Sequence, residues 1–99
     1  MTAYRPAPDD EVLYHEEAGE AFLLHVPTGE YFGLNRSGVV VWKALRDGLD
    51  PEDELARQWP TAPREALRDD AADLLRSLRD AGLIVEVDFG GEVHQTDGP

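Results

Sequence analysis

Apolar and polar residues alternate along the first third of the chain and recur every three or four positions along the rest. Val12–Glu16 (VLYHE) reads as a strand with Val12 and Tyr14 on one face. Glu17–Gly19 reads as a turn. Ala21–Val26 (AFLLHV) is a stronger strand, with Phe22, Leu24 and Val26 alternating on one face. Pro27-Thr28-Gly29-Glu30 has hairpin-loop chemistry: proline presets φ at the first turn position, and Gly29 can take positive φ where the chain rejoins the ladder. Tyr31–Leu34 is the returning strand, with Phe32 and Leu34 on one face and Tyr31 and Gly33 on the other.

The period changes after Leu34. Val39, Val40 and Val41 are β-branched, and propensity alone extends the strand through them. Their spacing to Trp42 and Leu45 is helical, Ser37 or Asn35 can cap the start, and Gly48 fits a left-handed stop. The prediction is a helix over roughly Ser37–Asp47. Asp50-Pro51-Glu52-Asp53-Glu54 opens a second, short helix: an N-cap aspartate, proline at N1, and acids where the helix dipole favours them. Leu55 and Trp59 give it an apolar pair, and it ends before Pro60. Thr61 is the expected cap of a third helix, whose stripe of Leu67, Ala71, Leu74 and Leu78 is widened by Leu75 and closed by Ala81-Gly82. Leu83–Val87 reads as an extended segment over the core.

Three strands followed by three helices make one small α+β domain, a three-stranded antiparallel sheet with its helices after it. The expected core is Phe22, Leu24, Phe32, Leu34, Val41, Trp42, Leu45, Leu55, Leu74, Leu78 and Leu83. The domain is expected over residues 12–87. A proline-containing arm over 1–11 and a polar, glycine-rich tail over 88–99 are expected to be flexible.

Charge narrows the partners. The formal net charge is -12, and Lys43 is the single lysine. Such a surface repels phosphate backbones and anionic membranes and favours a partner with lysines or arginines. No apolar run approaches the ~18 residues of a membrane span. The N-terminus lacks the pattern of a signal peptide, and the absence of cysteine removes disulfides and thiolate metal sites, so the expected location is the cytoplasm.

Catalytic signals are missing. There is no GxGxxG, Walker loop, HExxH or GxSxG, and no cofactor is expected. His15 and His25 could meet on neighbouring strands and bind a metal with a glutamate, but solvated histidines are the simpler reading; His94 lies in the tail. The Asp69-Asp70-Asp73 cluster is either a solvated helix face or an acidic lip beside a groove. Nothing in these residues indicates an enzyme.

Phe32-Gly33-Leu34-Asn35, then Ser37-Gly38, Val41-Trp42, Asp47-Gly48, and a closing Leu75, Leu78 and Gly82-Leu83-Ile84 resemble the PqqD family. No single piece is specific; the ordered set is, and it spans about Val12–Val85. The resemblance implies a winged helix-turn-helix variant, and the role of a RiPP recognition element that binds the leader segment of a ribosomally made precursor peptide. The short, free-standing form resembles the recognition protein of lasso-peptide biosynthesis, which works with a leader peptidase and a cyclase. It is also similar to the PqqD partner of a radical SAM enzyme.

The mechanism so implied is strand addition to the third strand, beside a groove against the third helix. The candidate residues are Tyr31, Phe32, Gly33 and Leu34 on the strand and Leu67, Asp70, Ala71, Asp73, Leu74 and Ser77 on the helix. A leader with basic residues suits the acids. Two other classes compete with this reading. A DNA-binding winged helix would place the third helix in the major groove, but four arginines against five acids make a poor phosphate clamp there. An adaptor that ignores the peptide is the other.

Overall fold

The computed structural model describes residues 2–88. The chain forms β1 (Thr2–Pro6), β2 (Val12–Glu17), β3 (Glu20–His25), β4 (Glu30–Leu34), α1 (Arg36–Asp47), α2 (Pro51–Gln58), α3 (Arg64–Asp80) and β5 (Ile84–Asp88). Strands β2, β3 and β4 make an antiparallel sheet in that order, with β4 on one edge. The predicted order of three strands and three helices is present, and the valine run lies within α1.

Local chemistry explains the boundaries. The Asn35 side chain accepts the Gly38 N–H at 2.9 Å and caps α1. Gly38 also lets the first turn of α1 approach β4, since a Cβ there would lie 3.0 Å from a Leu34 side-chain carbon. Asp50 caps α2 by accepting the Glu52 N–H at 2.9 Å. The expected Thr61 cap is not used: Pro63 occupies the N-cap of α3 without a side-chain hydrogen bond. Thr61-Ala62 is instead part of a turn in which the Ala62 N–H donates to the Trp59 carbonyl. The start of α3 is tied across to α2 by Arg64, which pairs with Glu52 and Asp53 at 2.9 Å each. Arg64, then Arg68, hold the Glu52 carboxyl below its usual range.

Residues 2–11 are not simply an arm. Thr2–Pro6 pairs antiparallel with Ile84–Asp88, and Ala7 is buried. The segment carries few apolar side chains, but the extended chain after Leu83 presents backbone donors and acceptors that need a partner, and β1 supplies them. The expected tail lies, except for Asp88, outside the described residues.

Two expected core residues point the other way. Leu23 is fully buried and Ala21 nearly so, whereas Phe22 is exposed and Leu24 half-buried. The hairpin register decides this: Leu23 lies opposite Phe32 and Ala21 opposite Leu34. Directly opposed residues share a face, so with Phe32 and Leu34 turned inward, Phe22 and Leu24 must turn outward. Val41, Trp42, Leu45, Leu55, Leu78 and Leu83 are buried as expected, while Phe32 and Leu74 are partly buried against them. Tyr14 stacks on Trp42 with ring centroids 6.1 Å apart. Burial, then the hydrogen bond to Glu16, pushes its phenol up to about 12.

The β2–β3 turn holds one local strain. Ala18 and Gly19 both have positive φ, 56° and 83°, as a two-residue hairpin turn demands. Alanine is disfavoured there by its Cβ. Replacing Ala18 with glycine is expected to stabilise the protein by about 0.5–1 kcal/mol, net of glycine's larger unfolded entropy. A urea midpoint that falls instead would show that the turn does not constrain Ala18.

Candidate peptide-binding site

Hydrogen bonds at the end of β3 fix which backbone groups face which neighbour. The Val26 N–H donates to the Glu11 carbonyl at 2.9 Å, and the His25 carbonyl accepts the Gly29 N–H at 2.7 Å. Backbone groups of successive residues point to opposite sides of a strand. Phe22, Leu24 and Val26 therefore bond towards β2, and Ala21, Leu23 and His25 towards β4. Glu30, Phe32 and Leu34, their partners across the hairpin, turn their N–H and C=O inward to β3. Tyr31 and Gly33 turn theirs outward, to an edge that no strand covers among the described residues. Gly33 adds no side chain that could obstruct an incoming backbone.

Two open hollows are present, one at this edge beside the residues that follow α3, the other between α1, α2 and α3. His25, Glu30, Tyr31, Phe32, Ala81 and Leu83 line the first. The second is lined by Asn35, Ser37, Val41 and Leu55 together with Asp70, Ala71, Asp73, Leu74 and Ser77 of α3. Leu34 and Leu67, also candidates from the sequence, are buried and line neither hollow. Leu34 anchors β4 to the core, and Leu67 anchors α3.

The sequence did not single out His25, Glu30 or Leu83 for this site. The hairpin register sets His25 beside Glu30, and Leu83 follows the turn that ends α3. Gly82 makes room for the imidazole: a Cβ there would lie 3.0 Å from His25 Nε2. The His25 Nδ1 is 2.9 Å from Thr28 Oγ1, which fixes the ring. His15 faces the opposite side of the sheet, so the two histidines cannot share a metal. Among the described residues no three histidine, aspartate or glutamate side chains gather in a way that could hold one.

Both hollows carry acids, Glu30 in one and Asp70 and Asp73 in the other. The arginines of α3 do not form a basic face. Arg64 and Arg68 pair with acids of α2, Arg76 with Asp73 at 3.1 Å, and Arg79 with Asp80 at 3.6 Å. A recognition helix for DNA needs such groups free for phosphate. No helix among the described residues is long and apolar enough to cross a membrane.

Comparison with known proteins supports the fold. The structure "TbiB1 in Complex with the TbiA(beta) Leader Peptide" is 30% identical, covering 81% of this chain and 93% of that one, with a TM-score of 0.69. "Lasso peptide synthetase B1 complexed with the leader peptide" is 26% identical, covering 83% and 96%, with a TM-score of 0.71. No curated protein gives a significant sequence match. The family model described as Coenzyme PQQ synthesis protein D (PqqD) matches residues 12–84. That match takes in every element from β2 to α3 and reaches Ile84 at the start of β5: the chain belongs to the PqqD family.

Proposed function

We propose that the protein binds the leader segment of a ribosomally made, lasso-type precursor peptide and holds it for a leader peptidase and a cyclase. The observation that carries this reading is the free edge of β4. Among the described residues, Tyr31 and Gly33 offer backbone donors and acceptors with no strand partner, beside a hollow with room for side chains. The similarity to two proteins described as bound to leader peptides supports the same reading. The leader adds antiparallel to β4 as a fourth strand. Backbone bonds supply general affinity, and its alternate side chains enter the hollows lined by Phe32 and Leu83 and by Ala71 and Leu74. The protein's part is recognition rather than catalysis.

Titration of a fluorescent leader peptide into the purified protein, followed by anisotropy, tests the proposal. Saturable binding that a scrambled peptide does not compete supports it; no binding at micromolar protein overturns it.

The acids along the groove set a second expectation. A leader with basic residues is drawn in by the field of the whole domain, which is screened over a Debye length of ~8–10 Å at physiological salt. Raising salt from low to high is expected to slow association by about tenfold and to change dissociation much less. Stopped-flow traces whose on-rate ignores salt would show that steering plays no part.

A further inference from the structure

The hollow at the start of β4 joins an apolar floor to a single carboxylate. Leu83 is buried and Phe32 half-buried along it, with Ala81 beside them. His25 forms a fixed wall: Thr28 Oγ1 holds its Nδ1 at 2.9 Å, and Gly82 leaves room for the ring. Glu30 stands exposed at the rim. Among the described residues Glu30 enters no ion pair, whereas Glu16, Glu52 and Asp73 are each held by a base. None of the described residues that line the hollow is an arginine or a lysine.

The edge decides which side chains of an added strand reach this hollow. Tyr31 and Gly33 turn their backbone groups outward, so residues set opposite them make the hydrogen-bonded pairs. Residues set opposite Glu30 and Phe32 fall at the pairs without hydrogen bonds, where Cα atoms are ~4.5 Å apart and facing side chains stand closest. Directly opposed residues share a face. Glu30 lies opposite His25, and Phe32 opposite the buried Leu23, on the side of the sheet that carries the hollow. A leader side chain opposite Glu30 is therefore delivered into the hollow, alongside the carboxylate.

Two demands meet on that side chain. Its stem has to cover Phe32 and Leu83, and its tip has to partner a carboxylate that the incoming strand takes partly out of water. Lysine and arginine satisfy both. Arginine does so better, because its planar guanidinium bonds a carboxylate through two N–H groups and stacks on an aromatic ring. We infer that Glu30 is a specificity-determining residue that reads one basic side chain of the leader, arginine before lysine, at the position opposite it in the added strand. This rests on the leader-binding reading above. It is distinct from steering by the whole acidic surface: steering is indifferent to where the bases lie along the peptide, whereas this pair is fixed by strand register.

The test uses the full chain and a synthetic leader peptide from the precursor of the same pathway, with each residue changed in turn to methionine, an unbranched apolar side chain. Anisotropy reads affinity for the unaltered protein and for Glu30→Gln, whose fold circular dichroism checks. One basic residue of the leader is expected to lose about tenfold in affinity for the unaltered protein on this change, and less than about twofold for Glu30→Gln. Reversing the pair, with glutamate at that leader position and Glu30→Arg in the protein, is expected to restore binding at least about fivefold over either reversal alone. A leader in which no basic residue is coupled to Glu30, or in which an aromatic or aliphatic residue alone shows the coupling, overturns the inference and leaves leader recognition standing. Equal losses at every basic position, all abolished by salt, assign the acids to steering alone and overturn it too. Failure of the unaltered protein to bind leader overturns both readings.

Discussion

Gly33→Pro is expected to fold normally and to bind leader about 100-fold more weakly than the unaltered protein. Proline removes an N–H and fixes φ, and its ring crowds the residue before it. At most strand positions that would break the ladder. At Gly33 the N–H points to the open edge, the setting in which a strand tolerates proline. The loss therefore falls on the incoming peptide, at about 3 kcal/mol for a removed hydrogen bond and a blocked approach. Two companions isolate the cause. Gly33→Ala keeps the amide, and its Cβ makes only ordinary contact with Phe22, so binding should stay within a few fold. Phe32→Pro removes a donor that serves β3, so it should unfold the hairpin instead. Circular dichroism establishes folding and anisotropy reads affinity. A folded Gly33→Pro protein with undiminished affinity would remove that amide from the interface. If disruption of Tyr31 also leaves affinity intact, strand addition at β4 is wrong.

Leu23→Ala should cost about 3 kcal/mol of folding stability, and Phe22→Ala less than about 1. The two residues are neighbours on β3, and side-chain size alone predicts the opposite order. Leu23 is wholly enclosed, and its truncation leaves a cavity that the sheet and α1 cannot fill. Phe22 already has more than half its surface in water, so its removal exposes little more. A loss of this size is a large share of the stability of so small a domain. Urea unfolding read by fluorescence separates the cases, because Trp42 is buried and reports the core. Equal losses, or a larger one for Phe22, would mean that β3 presents its other face to α1.

Most of the fold could be read from local chemistry. The cap of α2 is written in Asp50-Pro51, and α1 follows from Asn35, Gly48 and the spacing of Val41, Trp42 and Leu45. These signals act over one or two helical turns, so neighbours in the sequence suffice to specify them. The excess of acids over bases on α3 was equally plain, because charge needs no geometry to be counted. The strand Tyr31–Leu34 was legible in the hairpin chemistry that precedes it, while its role as a peptide-binding edge came from the resemblance to the PqqD family.

What only the tertiary structure decided concerns faces and distant partners. Strict alternation in AFLLHV places Phe22, Leu24 and Val26 together but does not say which side meets the helices; the pairing of His25 with Glu30 settled that. The same pairing assigned the open edge to Tyr31 and Gly33 and gave Leu34 to the core. Thr2–Pro6 has no pattern of its own, and it became a strand only because Ile84–Asp88, at the far end of the chain, supplied the complementary backbone. The stripe on α3 named Leu67 and Leu74 alike, yet one lies in the core and the other on the groove, since helical period fixes a direction and not what stands opposite it. The sequence by itself thus determined which elements form, through interactions local along the chain. The wall of the groove, the free amides and the exposed apolar face were decided by contacts between residues far apart in the chain.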